Sequence, residues 1–298
     1  MRRLKPFHYY EPSTLPEAVE ILAEKGGKAY PLAGGTDILV RMKRGDIKPT
    51  ALVNLKRITG LDRINTESEK GIHIGALALL STVEHSPVVR ANYPVLTQAA
   101  GVLGSPSIRN LGTLGGNIGR ASPAADTIPA LLVLQSRTIV EGPQGKRNVK
   151  LDDIFAGPGI TTLSPGELIT SIFLPEPAPY SAAVYLKLGR REGMECAIVG
   201  VAALLTLSGK NGEAKEARIA LSAVAPVPLR AKKAEEVLLS GSLTEERIKE
   251  AARAAADESL PMTDMRASSD YRKEMVKVLT FRAIRQALTL AQRGEVKN

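Results

Sequence analysis

The chain has 298 residues, an apolar fraction of 44%, a charged fraction of 24% and a formal net charge of +9. That length predicts two or three domains, and the composition is that of a globular protein, which excludes collagen-like, fibrous and disordered classes. The charge admits nucleic acid, acidic proteins or anionic cofactors as partners, but Lys and Arg are scattered without a long basic run or aromatic interleaving, so nucleic acid is disfavoured and a solvated basic surface accounts for most of the excess.

The opening Met1-Arg2-Arg3-Leu4-Lys5-Pro6 is positive but runs directly into His8-Tyr9-Tyr10 with no apolar stretch, which predicts no export signal and a cytoplasmic protein. Ser13 or Thr14 as cap, Pro16 in the first turn, then Ala18, Val19, Ile21 and Leu22 at helical spacing and a closing Gly26 predict a helix. A strand over Ala29–Leu32 leads into Ala33-Gly34-Gly35-Thr36-Asp37, after which Ile38, Leu39 and Val40 resume an apolar pattern. Further strands are predicted over 51–55 and 71–76, where His73 alternates with Ile72 and Ile74 and so faces outward rather than serving as a ligand. Residues 82–103 predict two helical pieces interrupted around Tyr93-Pro94.

From 104 to 126 the chain is rich in Gly, Ser, Asn and Pro, with few periodic apolar residues, which predicts a long functional loop. A helical face over 128–134, a hairpin over 137–151 turning at Gly142-Pro143-Gln144-Gly145, and a strand over 167–174 follow. Pro175, Pro177 and Pro179 cannot sit in a central strand and mark a boundary between 1–176 and 177–298. Beyond it, strands over 183–189, 197–207 and 217–224 and helices over 230–239, 244–256 and 271–291 predict a small α+β unit with an antiparallel sheet. The longest apolar run, 196–207, falls short of the roughly 20 residues a helix needs to cross a bilayer. Cys196 is the single cysteine, so no internal disulfide forms and the chain alone cannot supply the thiolates of an iron–sulfur cluster; its apolar surroundings predict a small core residue.

Two adjacent glycines between a strand and an apolar run let the Gly34-Gly35 backbone turn sharply and approach a ligand, and successive N–H groups there form an anion-binding nest suited to a pyrophosphate, with Thr36 adding a hydroxyl. An ordinary strand-to-helix turn explains either glycine pair alone. The second pair, in Thr113-Leu114-Gly115-Gly116-Asn117, repeats the chemistry, and two such nests would clamp one diphosphate from both sides. Asp126 precedes an apolar helix as a cap would, or accepts hydrogen bonds from the hydroxyl- or amine-bearing part of a nucleotide. There is no G-x-G-x-x-G after a strand and no G-x-x-x-x-G-K-[ST], and the three histidines are too scattered for a metal site.

Ala33-Gly34-Gly35-Thr36-Asp37, Ile108-Arg109-Asn110 leading into Thr113-Leu114-Gly115-Gly116-Asn117, and Ser122-Pro123-Ala124-Ala125-Asp126 together resemble the flavoprotein subunit of the xanthine dehydrogenase and carbon monoxide dehydrogenase family. The likeness runs through nearly the whole chain. It implies an α+β protein: a vanillyl-alcohol-oxidase-type (PCMH) FAD domain of two lobes, about 1–57 and 58–176, and a C-terminal domain of the carbon monoxide dehydrogenase flavoprotein type with a three-stranded antiparallel sheet and helices. Carried over by position, Pro31, Leu32, Ala33, Gly34, Gly35, Thr36, Asp37 and Ile38, together with Thr113, Leu114, Gly115, Gly116 and Asn117, would hold the FAD pyrophosphate. Leu103 would pack near the cofactor, Asp126 would bond its ribose or adenine end, and Ile169 and Lys187 would lie close to the nucleotide or the flavin ring.

Lys187, Arg190 and Arg191 otherwise read as the solvated end of a strand; near the flavin, the Lys187 ammonium would stabilise the anionic reduced ring. The resemblance further implies a small partner subunit with [2Fe–2S] clusters and a large one with the molybdenum cofactor, as a heterotrimer or a dimer of heterotrimers. This chain would contribute no catalytic acid, base or nucleophile and no metal ligand. It departs from the family in offering no aromatic residue around Met194-Glu195-Cys196 and no cysteine-rich insertion. A self-contained FAD oxidoreductase of the same superfamily and a basic nucleic-acid-binding protein are the rival readings.

Overall fold

The computed structural model describes residues 4–66, 70–210 and 212–294, so Met1-Arg2-Arg3 of the positive N-terminus and residues 295–298 of the C-terminal unit lie outside the described residues. Thr14 is extended and its side chain accepts from the Glu17 N–H at 3.4 Å, Pro16 fills the first turn, and Gly26 at φ 58° ends the helix Leu15–Lys25. That helix buries Ala18 and Leu22 against Val53 and Leu55, covering a parallel three-stranded sheet in the order His8–Tyr10, Ala51–Asn54, Ala29–Leu32.

A second, antiparallel sheet of five strands has the order Ile64–Asn65, Gly71–Gly75, Leu168–Pro175, Arg137–Gly142, Gly145–Lys150. Pro175, expected not to sit in a central strand, is the last residue of this middle strand, opposite Gly71; its missing N–H is tolerated at the strand's end, and the Glu176 N–H donates to the Lys70 carbonyl at 2.9 Å just beyond it. His73 is half-buried between the buried Ile72 and Ile74, and its ring meets that of Phe173 across the strand pair in a tilted contact at 5.0 Å, in agreement with an outward-facing strand residue.

The third sheet is antiparallel, in the order Ser181–Leu188, Val199–Leu207, Ala214–Ser222, Leu229–Arg230; the three expected strands form its body and a two-residue strand extends it. Every residue of Val199–Leu207 is buried, because this strand is covered on both faces. Ala202 and Leu204 join a core with Leu96, Leu131 and Leu132, while Val201, Ala203 and Leu205 pack with Ala234, Ile248, Val276 and Ile284 of the helices Lys232–Leu239, Glu245–Glu258 and Ser269–Arg293. The period of two thus divides one strand between two cores.

Three further expectations need correction. Residues 82–103 hold a third helical piece, because Pro87 starts a new helix after Ser86 caps it: Leu80–His85, Pro87–Asn92 and Pro94–Gly101 replace two segments. The stretch 104–126 is not one loop. Ser105 and Thr113 cap the short helices Pro106–Arg109 and Leu114–Gly119, and the latter buries Leu114 and Ile118. Cys196 is exposed, not core, since the buried strand begins at Val199 and Cys196 lies in the turn before it.

The start of the long helix Ser269–Arg293 is tied down by Arg272, only 1% exposed, which donates to the carbonyls of Ile198 and Ala223 at 2.7 and 3.0 Å and to Asp264 Oδ1 at 2.7 Å. Removing one partner of a buried hydrogen-bonded charge leaves the others unsatisfied, so Arg272→Met is expected to cost about 3 kcal/mol, read from the shift of the urea unfolding midpoint. The Arg266 side chain, and then Arg272, hold the Asp264 carboxyl well below the ordinary carboxylate range. The unfolded chain therefore binds the proton first as pH falls, so this contribution is present at neutral pH and fades below about pH 4. Asp264→Asn should flatten that part of the acid-unfolding curve; an unchanged acid limb would refute the assignment.

Candidate cofactor site

The strand Ala29–Leu32 ends on the buried Leu32, with Pro31 exposed beside it, and the chain must then reverse into the helix Ile38–Arg44. Gly35, at φ 76°, makes the reversal. Gly34 serves a different purpose: a Cβ there would stand 2.0 Å from the Leu111 carbonyl oxygen and 2.9 Å from the Gly112 Cα, so only glycine lets the two backbones touch. The N–H groups of Gly34, Gly35, Thr36, Asp37 and Ile38 donate to no acceptor among the described residues. A run of unengaged N–H groups in a half-buried turn is the arrangement that suits an anion.

The second glycine pair lies against the first, since a Cβ on Gly116 would be 3.8 Å from the Ala33 Cβ, and the Thr36 Oγ1 lies 3.6 Å from where a Gly112 Cβ would be. The two distant diglycine segments do share one place. Their chemistry differs, however. The N–H groups of Leu114 and Gly115 donate to the Ala78 and Ala76 carbonyls at 3.0 and 2.9 Å, and those of Gly116 and Asn117 go to the Thr113 Oγ1 and carbonyl, both at 3.0 Å. The second segment is therefore no nest of free donors, which corrects the picture of two matching clamps. Gly115 is required by close approach, because a Cβ there would meet the Ala76 Cβ at 2.5 Å.

One strand behind Ala76, Ile169 is buried in the core next to Thr170, whose carbonyl accepts the Ala76 N–H at 2.9 Å. Ile169 thus backs the second segment through Ala76. The Asn117 Oδ1 accepts from Thr127 Oγ1 at 2.6 Å and so connects this segment to Asp126. Asp126 does not cap the helix Thr127–Val133: it is αR and its side chain bonds no N–H of that helix. Its carboxylate, 4% exposed, instead accepts from the Tyr185 hydroxyl and from the Lys187 ammonium, each at 2.9 Å.

Lys187, with 11% of its side chain exposed, also donates to the Val102 carbonyl at 3.0 Å beside the half-buried Leu103. It is therefore not part of a solvated strand end, whereas Arg190 and Arg191 are exposed around Glu195. Burial pushes the Asp126 carboxyl up, against the opposing pull of Lys187, and pushes the Tyr185 phenol well above its usual range. The Lys187 and Tyr185 donors are what make a buried carboxylate tolerable here.

Sequence reasoning missed Arg120 and quoted Arg109 only as part of a motif, without a role. Arg120 follows the helix Leu114–Gly119 and donates from Nε to Asp37 Oδ1 at 2.8 Å, joining the ends of the two glycine segments. Arg109 grips Glu84 at 2.7 Å and the Leu103 carbonyl at 3.2 Å, fixing the chain next to Lys187's anchor. An arginine that directly follows a glycine-rich segment was the available signal for the first.

Residues 5–177 match the family described as the FAD binding domain in molybdopterin dehydrogenase, and residues 184–287 match the CO dehydrogenase flavoprotein C-terminal domain. The chain belongs to the FAD-binding medium subunits of the carbon monoxide and xanthine dehydrogenase family. It is 34% identical over 281 residues to the carbon monoxide dehydrogenase medium chain of Hydrogenophaga pseudoflava, covering 94% of this chain and 96% of that one. It is 32% identical to the nicotinate dehydrogenase FAD-subunit of Eubacterium barkeri, covering 92% and 93%. The solved carbon monoxide dehydrogenase from Hydrogenophaga pseudoflava superposes with a TM-score of 0.93 at 34% identity, covering 97% of this chain and 99% of that chain. This medium subunit is thus the flavoprotein part of an oxidoreductase, and the free N–H turn at Gly34 with no side chain in its way fits the diphosphate of the family's FAD.

Gly34→Ala is expected to force the turn off Leu111, costing about 2 kcal/mol of stability and most of the bound flavin. Gly27→Ala, with nothing within 4 Å of the new methyl, is the matched control. Flavin content after gel filtration and the urea midpoint measure both, and equal behaviour of the two variants would dismiss the close-approach argument.

Proposed function

We propose that this chain is the electron-transferring FAD subunit of a molybdenum-containing hydroxylase or dehydrogenase, taking electrons from the [2Fe–2S] clusters of a small partner and passing them to an external acceptor. The observation that carries the reading is the run of unengaged N–H groups over 34–38, seated on the 111–116 backbone. In this reading residues 1–176 form the FAD unit, in lobes of about 1–57 and 58–176, and 177–298 the C-terminal unit. The large partner holds the molybdenum cofactor, and the complex is a cytoplasmic heterotrimer or a dimer of heterotrimers. The relatives' names, medium chain and FAD-subunit, support a multi-chain assembly.

When bound, FAD supplies a ring that takes up electrons singly or in pairs. The chain's own residues do the rest. Residues 31–38 receive the diphosphate with backbone donors, which cost no reorganisation because the turn is already fixed by Gly34 and Gly35. Residues 113–117 form the opposite wall by packing, with their own N–H groups satisfied internally. Leu103 and Ile169 give the site apolar contact. Asp126 and Lys187 serve as one pair at one end of the cofactor: the carboxylate holds the ammonium in place, and together they face the ribose or adenine end. Among the described residues no helix is long and apolar enough to cross a membrane.

The purified chain is expected to be yellow, with one FAD per chain released on denaturation, and to co-purify with two partner subunits. It should show no turnover of an organic substrate by itself. A colourless preparation with salt-sensitive nucleic-acid affinity would refute the reading, and substrate turnover by the isolated chain would convert it to a self-contained flavin enzyme.

A further inference from the structure

The ion pair between Arg120 and Asp37 is an odd device for stability. The two side chains are 31% and 45% exposed, and pairs that open to solvent add little to folding. Its placement is informative. Asp37 is the acidic residue of the turn with free N–H groups, and a carboxylate there opposes the approach of any anion. Arg41 reaches the other oxygen only at 3.8 Å, so Arg120, at 2.8 Å, is the cation that answers this charge.

The bond to Asp37 uses only Nε; Nη1 and Nη2 have no acceptor among the described residues. The guanidinium lies over Gly159, where a Cβ would come within 2.9 Å of Nη1, so a glycine leaves it room. An arginine fixed at Nε presents its remaining planar N–H groups with little entropy left to lose, which is the form that suits phosphate oxygens.

We propose that Arg120 is a diphosphate-binding residue, anchored by Asp37 and completing with its terminal nitrogens the anion site begun by the 34–38 backbone. The inference rests on the FAD reading above and adds a side-chain cation to a site otherwise built from backbone donors. It also gives the two glycine segments different duties: the first supplies N–H groups, and the second carries the chain to Arg120.

The test is FAD affinity of the full flavin-stripped chain, followed by fluorescence at several salt concentrations, for the native protein, Arg120→Met and Arg120→Lys. Arg120→Met should weaken FAD binding at least about tenfold at low ionic strength and converge toward the native value as salt screens the contact. Arg120→Lys, which keeps charge without the planar fork, should lie between. Affinity within about twofold of native, or a loss of the same factor at every salt concentration, would overturn the role of Arg120 while leaving the FAD reading intact. A native chain that takes up no FAD would overturn both.

Discussion

At Gly34 one backbone lies directly on another, that of Leu111 and Gly112, and at Gly115 the backbone lies directly on Ala76. Added Cβ atoms would sit 2.0 Å from the Leu111 carbonyl and 2.5 Å from the Ala76 Cβ, distances no packing rearrangement of side chains relieves. These contacts stack three separate stretches, around 34, 111–116 and 76, into one wall. Among the described residues the wall leaves the Gly34–Ile38 N–H groups without partners, and it brings Arg120 to Asp37. Removing either glycine would displace every one of those features together.

The second constraint is electrostatic. Asp126 is buried where a carboxylate is costly, and two donors from the strand Ser181–Leu188, Tyr185 and Lys187, make the burial possible. The same strand receives the Gln98 side chain at the Tyr185 N–H, 3.1 Å away. Side chains that would each be destabilising when buried alone thus satisfy one another where the C-terminal sheet meets the helices Pro94–Gly101 and Thr127–Val133. Arg272 and Asp264 repeat the principle on the far side of the C-terminal sheet.

Much of this was legible in the sequence, for identifiable reasons. The helix at Leu15–Lys25 carries its cap, proline and closing glycine in adjacent positions, and the strands of the C-terminal sheet carry long β-branched and aliphatic runs. The meeting of the two diglycine segments was inferred from their repetition. What escaped had physical causes. The helices inside 104–126 are too short to develop periodicity, and their local marks were only the caps at Ser105 and Thr113 and the first-turn Pro106. The internal bonding of the second glycine pair depends on Ala76 and Ala78, some forty residues away, and the partners of Asp126 on a strand some sixty residues away. Neither distance leaves a trace in local spacing.

The C-terminal sheet, buried on both faces, has a consequence for how the chain comes apart. Ala183, Tyr185, Ala202, Leu204 and Ala220 belong to the same apolar cluster as Ile74, Leu131 and Ile172, so the halves on either side of Pro175 share a core rather than a lubricated interface. A protease that nicked the proline-rich connection would leave two fragments still clasped together, and heating would melt them in a single cooperative transition. Relative motion of the halves as a hinge is correspondingly suppressed.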